Sequence, residues 1–406
     1  MQKSFKNYIY PIATLSGTII GVGLFALPYI TLKVGFWVMC GYFLVLGALV
    51  ILVHQFFGEL ALKTPDYKRL PGFAKIYLGN WGERIAYISA ILGIFGAILA
   101  YLIVGGELLT ELLSPIFGGG NLFWTIIYFL AGAILIFFGI KAIAKVEFWG
   151  LILFFLVLIL IFLRGRYLIN IENLFLGQWS IVNSQWSSIF LPYGVILFSL
   201  WGAALIPEVE EMLGEKKELI KRIIPIAILI PIFVYLFFIY LILGITGPQT
   251  TESALVGLRN FLGSGIVSLG FLFGLLTTFT SFIALGLTLK KVFWYDLKIG
   301  KNLAFAITCF IPLVLFLIGV KQFIPVISFV GATMLGIDGI LILLMYHKKN
   351  QKSKIKNQKF IGVPFNSNIF GRDYLRNNIL CEIKNQKLKI KMTNQNSKFL
   401  IFYMYF

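Results

Sequence analysis

Apolar residues occur in long blocks that short polar segments separate. A membrane-spanning α-helix needs about 20 predominantly apolar residues. Ten runs meet or approach this length, and we number them spans 1 to 10 in chain order. They cover residues 8–31, 36–62, 85–113, 122–140, 146–163, 191–213, 223–246, 265–289, 303–320 and 324–346. The pattern predicts an all-α integral membrane protein with about ten transmembrane helices.

Spans 1 and 6 carry residues that interrupt a helix. Span 1 contains Gly17, Gly21 and Gly23, and span 6 contains Gly202 and Pro207. When ten spans are split five and five, these two hold corresponding positions, and such matching interruptions point to a transporter's binding site. For one glycine-rich span, close helix packing is the simpler explanation. Two such spans at corresponding positions in the two halves favour the interpretation that both are broken helices.

A broken helix in a bilayer has a chemical consequence. Lipid cannot satisfy the backbone groups that unwinding exposes, so a break must face protein, water or a ligand. Freed N–H groups favour an anion and freed carbonyls favour a cation, and an amino acid carries both charges. The residues predicted to bind substrate are Gly17, Thr18, Gly21, Val22, Gly23, Phe198, Ser199, Trp201 and Gly202.

Charged residues are absent where such a substrate would bind. Spans 1 and 8 contain none, and span 6 contains none before Glu208. A cationic substrate would need a buried carboxylate and an anionic one an arginine, so neutral substrates are favoured. Ionisable groups elsewhere in the spans are functional candidates. The candidates for gating or for carrying a proton are Glu59, Glu107, Glu208 and Asp338, although each could instead pair with a loop Lys or Arg.

Composition supports the membrane prediction. Hydrophobic residues make up 59% of the chain and charged residues 13%, far from the values of a soluble domain. The net charge of +18 could suggest nucleic acid, but the positive residues lie in short loops and a tail, so no nucleic-acid partner is expected. With the N-terminus in the cytoplasm, the inner segments before the tail hold 17 Lys and Arg and the outer segments 5. This asymmetry predicts a multi-pass cell-membrane protein with both termini cytoplasmic.

The sequence lacks the usual signatures of enzymes and pumps. It has no HExxH, no P-loop and no Cys/His zinc spacing. We therefore expect neither enzymatic activity nor a cofactor, and no metal other than a co-transported sodium ion. The energy for transport should then come from an ion gradient.

The last part of the chain differs in character from the rest. Residues 347–406 are basic and rich in Asn, and so polar a segment cannot build a core. We predict a transmembrane domain over residues 1–346, with one repeat at about 8–163 and a second at about 191–346. The tail is predicted to be disordered and dispensable for transport.

Several motifs resemble one known superfamily. The stretch from Gly17 to Pro28 resembles the span 1 signature of the amino acid–polyamine–organocation superfamily, closest to its amino acid/auxin and aromatic amino acid permease branch. Residues 191–208, 54–73 and 139–147 resemble parts of the same branch, and the similarity covers roughly residues 5–346. The resemblance implies the leucine-transporter fold, with two inverted repeats of five helices, and alternating access. The branch usually has an eleventh helix, where this chain has its polar tail.

The resemblance also suggests how transport is coupled to an ion. In this fold a sodium ion can lie between span 1 carbonyls and span 8 hydroxyls, here Thr277, Thr280 and Ser281. These hydroxyls could instead bond to their own helix backbone. Proton coupling is the alternative, although span 5 lacks the lysine that some relatives use.

These observations predict a secondary active transporter, a symporter of neutral, hydrophobic or aromatic, amino acids. Two alternatives stay open: a non-transporting amino acid sensor of the same fold, and a transporter of another small amine or organic solute. The expected partners are a small-molecule amino acid and the lipid bilayer. The sequence leaves the oligomeric state open.

Overall fold

A computed structural model describes residues 8–64, 68–139, 143–176 and 190–361, with side chains described outside 143–151, 264, 266 and 352–361. These residues are almost entirely helical, and each predicted span coincides with a helix or a broken helix. The unbroken spans are span 2, Phe36–Lys63; span 3, Asn80–Phe117; span 4, Asn121–Phe138; span 5, Ile143–Gly165; span 7, Ile220–Thr246; span 8, Ser264–Lys291; and span 9, Lys301–Leu317.

The other three spans are composite. Their parts are Tyr10–Ile19, Val22–Ala26 and Leu27–Val34 in span 1; Leu191–Leu200, Ala203–Leu205 and Ile206–Leu213 in span 6; and Phe323–Phe329, Val330–Leu335 and Gly336–Ile361 in span 10. The middle segment is 3₁₀-helical in spans 1 and 6 and π-helical in span 10. A further helix, Leu70–Leu78, connects spans 2 and 3. Shorter helical segments in the connections are Ile171–Phe175, Gly214–Leu219, Gly247–Gln249, Val256–Leu258, Arg259–Leu262 and Val292–Asp296.

Length and composition allow most of these helices to cross a bilayer. Among the described residues, 6 helices are long and apolar enough, and the bent pair in span 1 makes a seventh. One of the six, Leu191–Gln249, has 59 residues and contains both span 6 and span 7. Two shorter apolar helices, Ile152–Gly165 and Lys301–Leu317, lie in spans 5 and 9.

Spans 1, 2, 6 and 7 pack against one another. On span 2, a Cβ at Gly58 would lie 2.9 Å from Ile224 Cδ1 of span 7, so the glycine allows the two helices to approach closely. The buried Ser16 Oγ of span 1 donates to the carbonyl of Ala227 in span 7 at 3.0 Å. Span 7 is therefore held to span 2 by a close glycine contact and to the broken span 1 by a buried hydrogen bond.

Spans 3, 4 and 8 form a second packed group. Gly105 of span 3 lies against the ring of Tyr128 in span 4, where a larger residue would collide. Lys290, at the end of span 8, donates to the carbonyls of Ile136 and Phe137 at 2.9 and 3.0 Å. Those carbonyls end span 4 and carry the negative end of its helix dipole, so the buried ammonium is well placed there.

Span 10 contacts both groups. Its π-helical segment lies against span 3 and against the first half of span 6. A Cβ at Gly331 would collide with the backbone of Gly194, and a Cβ at Gly194 would lie 2.8 Å from Ser328 Cα. The backbones of spans 6 and 10 therefore touch directly, which only residues without side chains permit at these two positions.

The helix of span 10 extends beyond the predicted boundary at residue 346. It continues to Ile361, and Lys349, whose side chain is 8% exposed, places its Nζ 3.4 Å from Glu59 Oε2 of span 2. The ring of Tyr346 stacks on Phe56 with centroids 4.0 Å apart. The predicted start of the tail thus falls inside a helix, and residues 362–406 lie outside the described part of the chain.

Replacing Lys349 by Met should lower the thermal unfolding temperature of the detergent-solubilised protein by a few degrees. The substitution leaves the half-buried carboxylate of Glu59 without its described cation partner, which destabilises the junction of spans 2 and 10. Lys348→Met is the matched control, since the neighbouring lysine makes no ion pair among those described. Equal unfolding temperatures for both variants would show that the ion pair contributes nothing.

Candidate functional site

The break in span 1 lies at Ile20 and Gly21. The first half of the span ends at Ile19, Ile20 has ψ 80°, and Gly21 is extended with φ −118° and ψ −158°. The two halves are bent by 48°. Backbone groups on both sides of the break therefore lose the partners that a continuous helix would supply.

This position corrects part of the prediction. Of the predicted substrate-binding residues, Gly17 and Thr18 lie in the last turn of an intact helix. Thr18 is exposed, and its hydroxyl donates to the carbonyl of Thr14 at 3.0 Å. The helix therefore continues one turn further than the first glycine suggested, and Gly21 is the glycine at the break.

The break in span 6 lies at Trp201 and Gly202. The first half ends at Leu200, Trp201 is extended with ψ 118°, and Gly202 has φ −130° and ψ 13°. Gly202 is therefore at the break, whereas Pro207, the other residue of span 6 expected to interrupt the helix, stands in the first turn of the second half. A proline is tolerated there, since the first N–H groups of a helix have no intrahelical acceptor. Pro207 therefore starts a helix.

The two breaks pack directly on each other. A Cβ at Gly23 would lie 3.1 Å from Ser199 Cα and would collide with its hydroxyl oxygen. A Cβ at Gly202 would lie 2.8 Å from Cγ1 of Ile19. The structure thus brings together Gly21, Gly23, Ser199 and Gly202, four of the predicted substrate-binding residues. Val22 is buried beside them, and Phe198 and Trp201 are half-buried.

Three side chains that were not predicted as site residues also reach the breaks. Tyr235 Oη of span 7 lies 2.6 Å from the carbonyl oxygen of Ile19 and 2.8 Å from that of Ser199. His54 Nε2 of span 2 accepts from the N–H of Gly202 at 3.0 Å. Tyr101 of span 3 has its hydroxyl 3.0 Å from the point where a Gly21 Cβ would be. His54 is fully buried at the break.

These residues gave weak signals in the sequence. A tyrosine within an apolar span is common, because its ring is apolar and only its hydroxyl needs a partner. Which hydroxyl reaches a break depends on contacts between spans that lie far apart in the chain, such as Tyr235 with Ile19. One usable signal is that a polar group within a span, such as His54, must find a partner inside the protein.

The span 8 hydroxyls bond to their own helix. Thr277 Oγ1 donates to the carbonyl of Gly274 at 3.0 Å, and Thr280 Oγ1 donates to that of Thr277 at 3.1 Å. Donation leaves the lone pairs of each hydroxyl oxygen free to coordinate a cation. Ser281 is half-buried on the same helix. The sodium site therefore stays a prediction.

Glu107 takes part in a contact between span 3 and the connection from span 7 to span 8. Glu107 Oε1 accepts from Ser253 Oγ at 3.0 Å. One turn further along span 3, Glu111 Oε2 lies 2.7 Å from Arg259 Nη1. This pair of contacts ties one end of span 3 to the connection between spans 7 and 8.

The other acidic candidates have different surroundings. Glu208 is exposed in the first turn of a helix, where a carboxylate is favourable. Glu59 pairs with Lys349. Asp338 is only 7% exposed in span 10, and its Oδ1 has no hydrogen-bond partner among the described residues. Of the four candidates, Asp338 is therefore the one with an unsatisfied buried oxygen.

A helical membrane protein with spans 1 and 6 broken at matching places has the architecture of leucine-transporter-fold permeases, and solved structures agree. A closed structure of Mhp1, a nucleobase-cation-symport-1 family transporter with bromovinylhydantoin bound, matches with a TM-score of 0.60 and 14% identity, over 82% of this chain and 76% of that one. MhsT in complex with L-phenylalanine matches with a TM-score of 0.53 and 15% identity, over 82% and 87%. The predicted fold is thereby confirmed.

The chain belongs to the tryptophan/tyrosine permease family, whose model matches residues 6–369. This is a family of transporters and not of enzymes. A stretch of 104 residues is 33% identical to tyrosine-specific transport system 1 of Haemophilus influenzae. That stretch spans 26% of this chain and 26% of the relative.

Replacing Gly21 by Leu should abolish uptake while the protein is still inserted in the membrane. The new side chain would meet the Tyr101 hydroxyl and occupy the space at the break. The matched control is Gly41→Leu in span 2, where a Cβ would have nothing within 4 Å. Uptake and inserted protein should be measured together in vesicles, with Gly202→Leu as a second test. Normal uptake in both the Gly21 and the Gly202 variants would contradict the assignment of the site.

Proposed function

We propose that this protein is a secondary transporter that carries neutral aromatic amino acids across the cell membrane by alternating access. The observation that carries the proposal is the pair of breaks packed on each other, where backbone N–H and carbonyl groups lose their regular helical partners. Membership of the tryptophan/tyrosine permease family supports the substrate class. The match to a tyrosine transport system supports it further. The finer resemblance to the amino acid/auxin branch is part of the same proposal.

The chemistry at the breaks suits a zwitterion with a neutral side chain. N–H groups that follow a break favour the carboxylate of an amino acid, and carbonyls that precede it favour the ammonium group. The side chains that reach the breaks carry hydroxyl or aromatic groups, namely His54, Tyr101, Ser199, Trp201 and Tyr235. Aromatic rings offer an aromatic substrate stacked or edge contacts beyond simple burial. The half-buried Phe198 could cover the bound ring, as the resemblance implies.

We further propose that an ion gradient drives transport, with sodium or a proton as the coupled ion. Sodium would bind between span 1 carbonyls and Thr277, Thr280 and Ser281 of span 8. The proton has a specific candidate carrier in Asp338, because a buried carboxylate with an unpaired oxygen is costly unless it is neutralised. We also propose that both termini lie in the cytoplasm, as the distribution of Lys and Arg favours.

Purified protein in proteoliposomes should accumulate tryptophan, tyrosine or phenylalanine under an imposed ion gradient. Lysine and glutamate should not compete, since no charged side chain reaches the breaks among the described contacts. Uptake of each labelled amino acid against empty liposomes is the measurement. Saturable binding without uptake would favour the amino acid sensor. Uptake of an unrelated amine, with no competition by aromatic amino acids, would favour a different solute.

The coupled ion can be identified with two gradients applied separately. A sodium gradient at fixed pH should drive uptake, and Thr280→Ala or Ser281→Ala should weaken it by removing a ligand oxygen. If a pH gradient alone drives uptake and both variants behave normally, sodium coupling is wrong. In that case Asp338→Asn should abolish pH-driven accumulation, and Glu215→Gln, at an exposed carboxylate outside the four candidates, is the matched control.

A further inference from the structure

Two unbroken spans each send one polar side chain to the breaks. His54 comes from span 2 and Tyr235 from span 7, and both have 0% exposure. Their partners are backbone groups: the N–H of Gly202, the carbonyl of Ile19 and the carbonyl of Ser199. All three lie at or next to the points where spans 1 and 6 stop being helical.

His54 constrains the backbone of span 6. Its Nε2 accepts a hydrogen bond, so that nitrogen carries no proton and the neutral ring holds its hydrogen on Nδ1. The ring also meets Trp201 edge-on, with centroids 5.0 Å apart and planes at 79°. The His54 side chain thus contacts both residues of the break. Its ring meets the ring of Trp201, and its Nε2 accepts the N–H of Gly202.

Tyr235 links the two broken spans. The Ile19 carbonyl is the last of its helix and accepts from the Gly21 N–H at 2.8 Å. The Ser199 carbonyl is in the last turn of another helix, where carbonyls lack the regular partner four residues on. A phenol has a single hydrogen, so the hydroxyl donates to one carbonyl at a time or shares its hydrogen between them. The two carbonyls are therefore held close to one oxygen, although they belong to different spans.

We propose that His54 and Tyr235 form a clamp that positions the backbone groups of both breaks for the substrate. The name break clamp refers to these two residues. They are positioning residues, because they act through the backbone of Ile19, Ser199 and Gly202. This inference rests on the proposed function, since it assigns the binding of amino acid to the backbone of the two breaks. Without the clamp the two breaks lose their fixed arrangement, and the substrate must bear the cost of ordering them.

The test is substrate affinity in three variants of the full chain. Tyr235→Phe removes only the hydroxyl. His54→Leu removes the acceptor, and His54→Gln keeps an acceptor oxygen of similar reach. Tyr240→Phe, in the same span, is the matched control. Each protein is purified, checked for a single folded species by thermal unfolding, and titrated with labelled tryptophan and tyrosine. Uptake rates in proteoliposomes are then measured at saturating and at low substrate.

The clamp predicts that Tyr235→Phe and His54→Leu each raise the Kd and KM by about tenfold, the effect of losing roughly one hydrogen bond. His54→Gln should remain close to wild type, and uptake at saturating substrate should fall much less than at low substrate. Unchanged affinity in both Tyr235→Phe and His54→Leu would overturn the proposal. Equal loss in His54→Gln and His54→Leu would overturn the acceptor role of His54.

Other outcomes are also decisive. If His54→Leu does not fold, Tyr235→Phe and His54→Gln still decide, because each preserves the bulk of the original side chain. A uniform fall in uptake at all substrate concentrations, with normal affinity, would indicate a structural role only and contradict the clamp. Wild-type protein that binds neither amino acid would contradict the proposed function, whereas normal wild-type binding with unaffected variants would contradict only the clamp.

Discussion

The structure depends on one constraint, which is that hydrocarbon cannot hydrogen-bond to a polypeptide backbone. A continuous helix meets this constraint within itself, whereas a broken helix leaves N–H and C=O groups that need other partners. Spans 1 and 6 are both broken in the apolar part of the protein, at Gly21 and Gly202. The spans around them supply part of what the breaks lack, through the hydroxyl of Tyr235 and the imidazole of His54. Backbone groups at the breaks that lack a regular helical partner are suited to a ligand that carries charges of both signs.

Close packing follows from the same constraint. A side chain can reach a break only if the neighbouring helices approach closely, and glycines at the contacts allow this. Gly23 lies on Ser199, and Gly194 lies on the backbone of span 10. In a bilayer, where burial of apolar surface does not drive helices together, such van der Waals contact between small residues is a main source of association. The glycines of spans 1 and 6 therefore have two roles, since they permit the breaks and they bring them together.

The sequence predicted the architecture well because the governing signals are local. Apolar runs of sufficient length identify the spans, and glycines in matching spans identify the two that break. The details that it missed depend on distant contacts. One such detail is that the first helix runs through Gly17 to Ile19, because glycine tolerates a helix in a packed setting as well as a break. The partners of the breaks, Tyr235 and His54, lie 216 and 148 residues away from Ile19 and Gly202 respectively. No local sequence pattern predicts such a pairing. The pairing of Lys349 with Glu59 is also distant in the chain and is not predicted by a local pattern either.

The central claim is that the two breaks together form the substrate site, and an experimental structure of the protein with bound tryptophan or tyrosine tests it most directly. The account predicts that the carboxylate and ammonium groups of the ligand lie within hydrogen-bonding distance of the backbone of residues 19–23 and 199–203. The side chain of the ligand should then contact Phe198, Trp201 or Tyr101. An ordered ligand bound elsewhere in the protein, with both breaks unoccupied, would contradict the account.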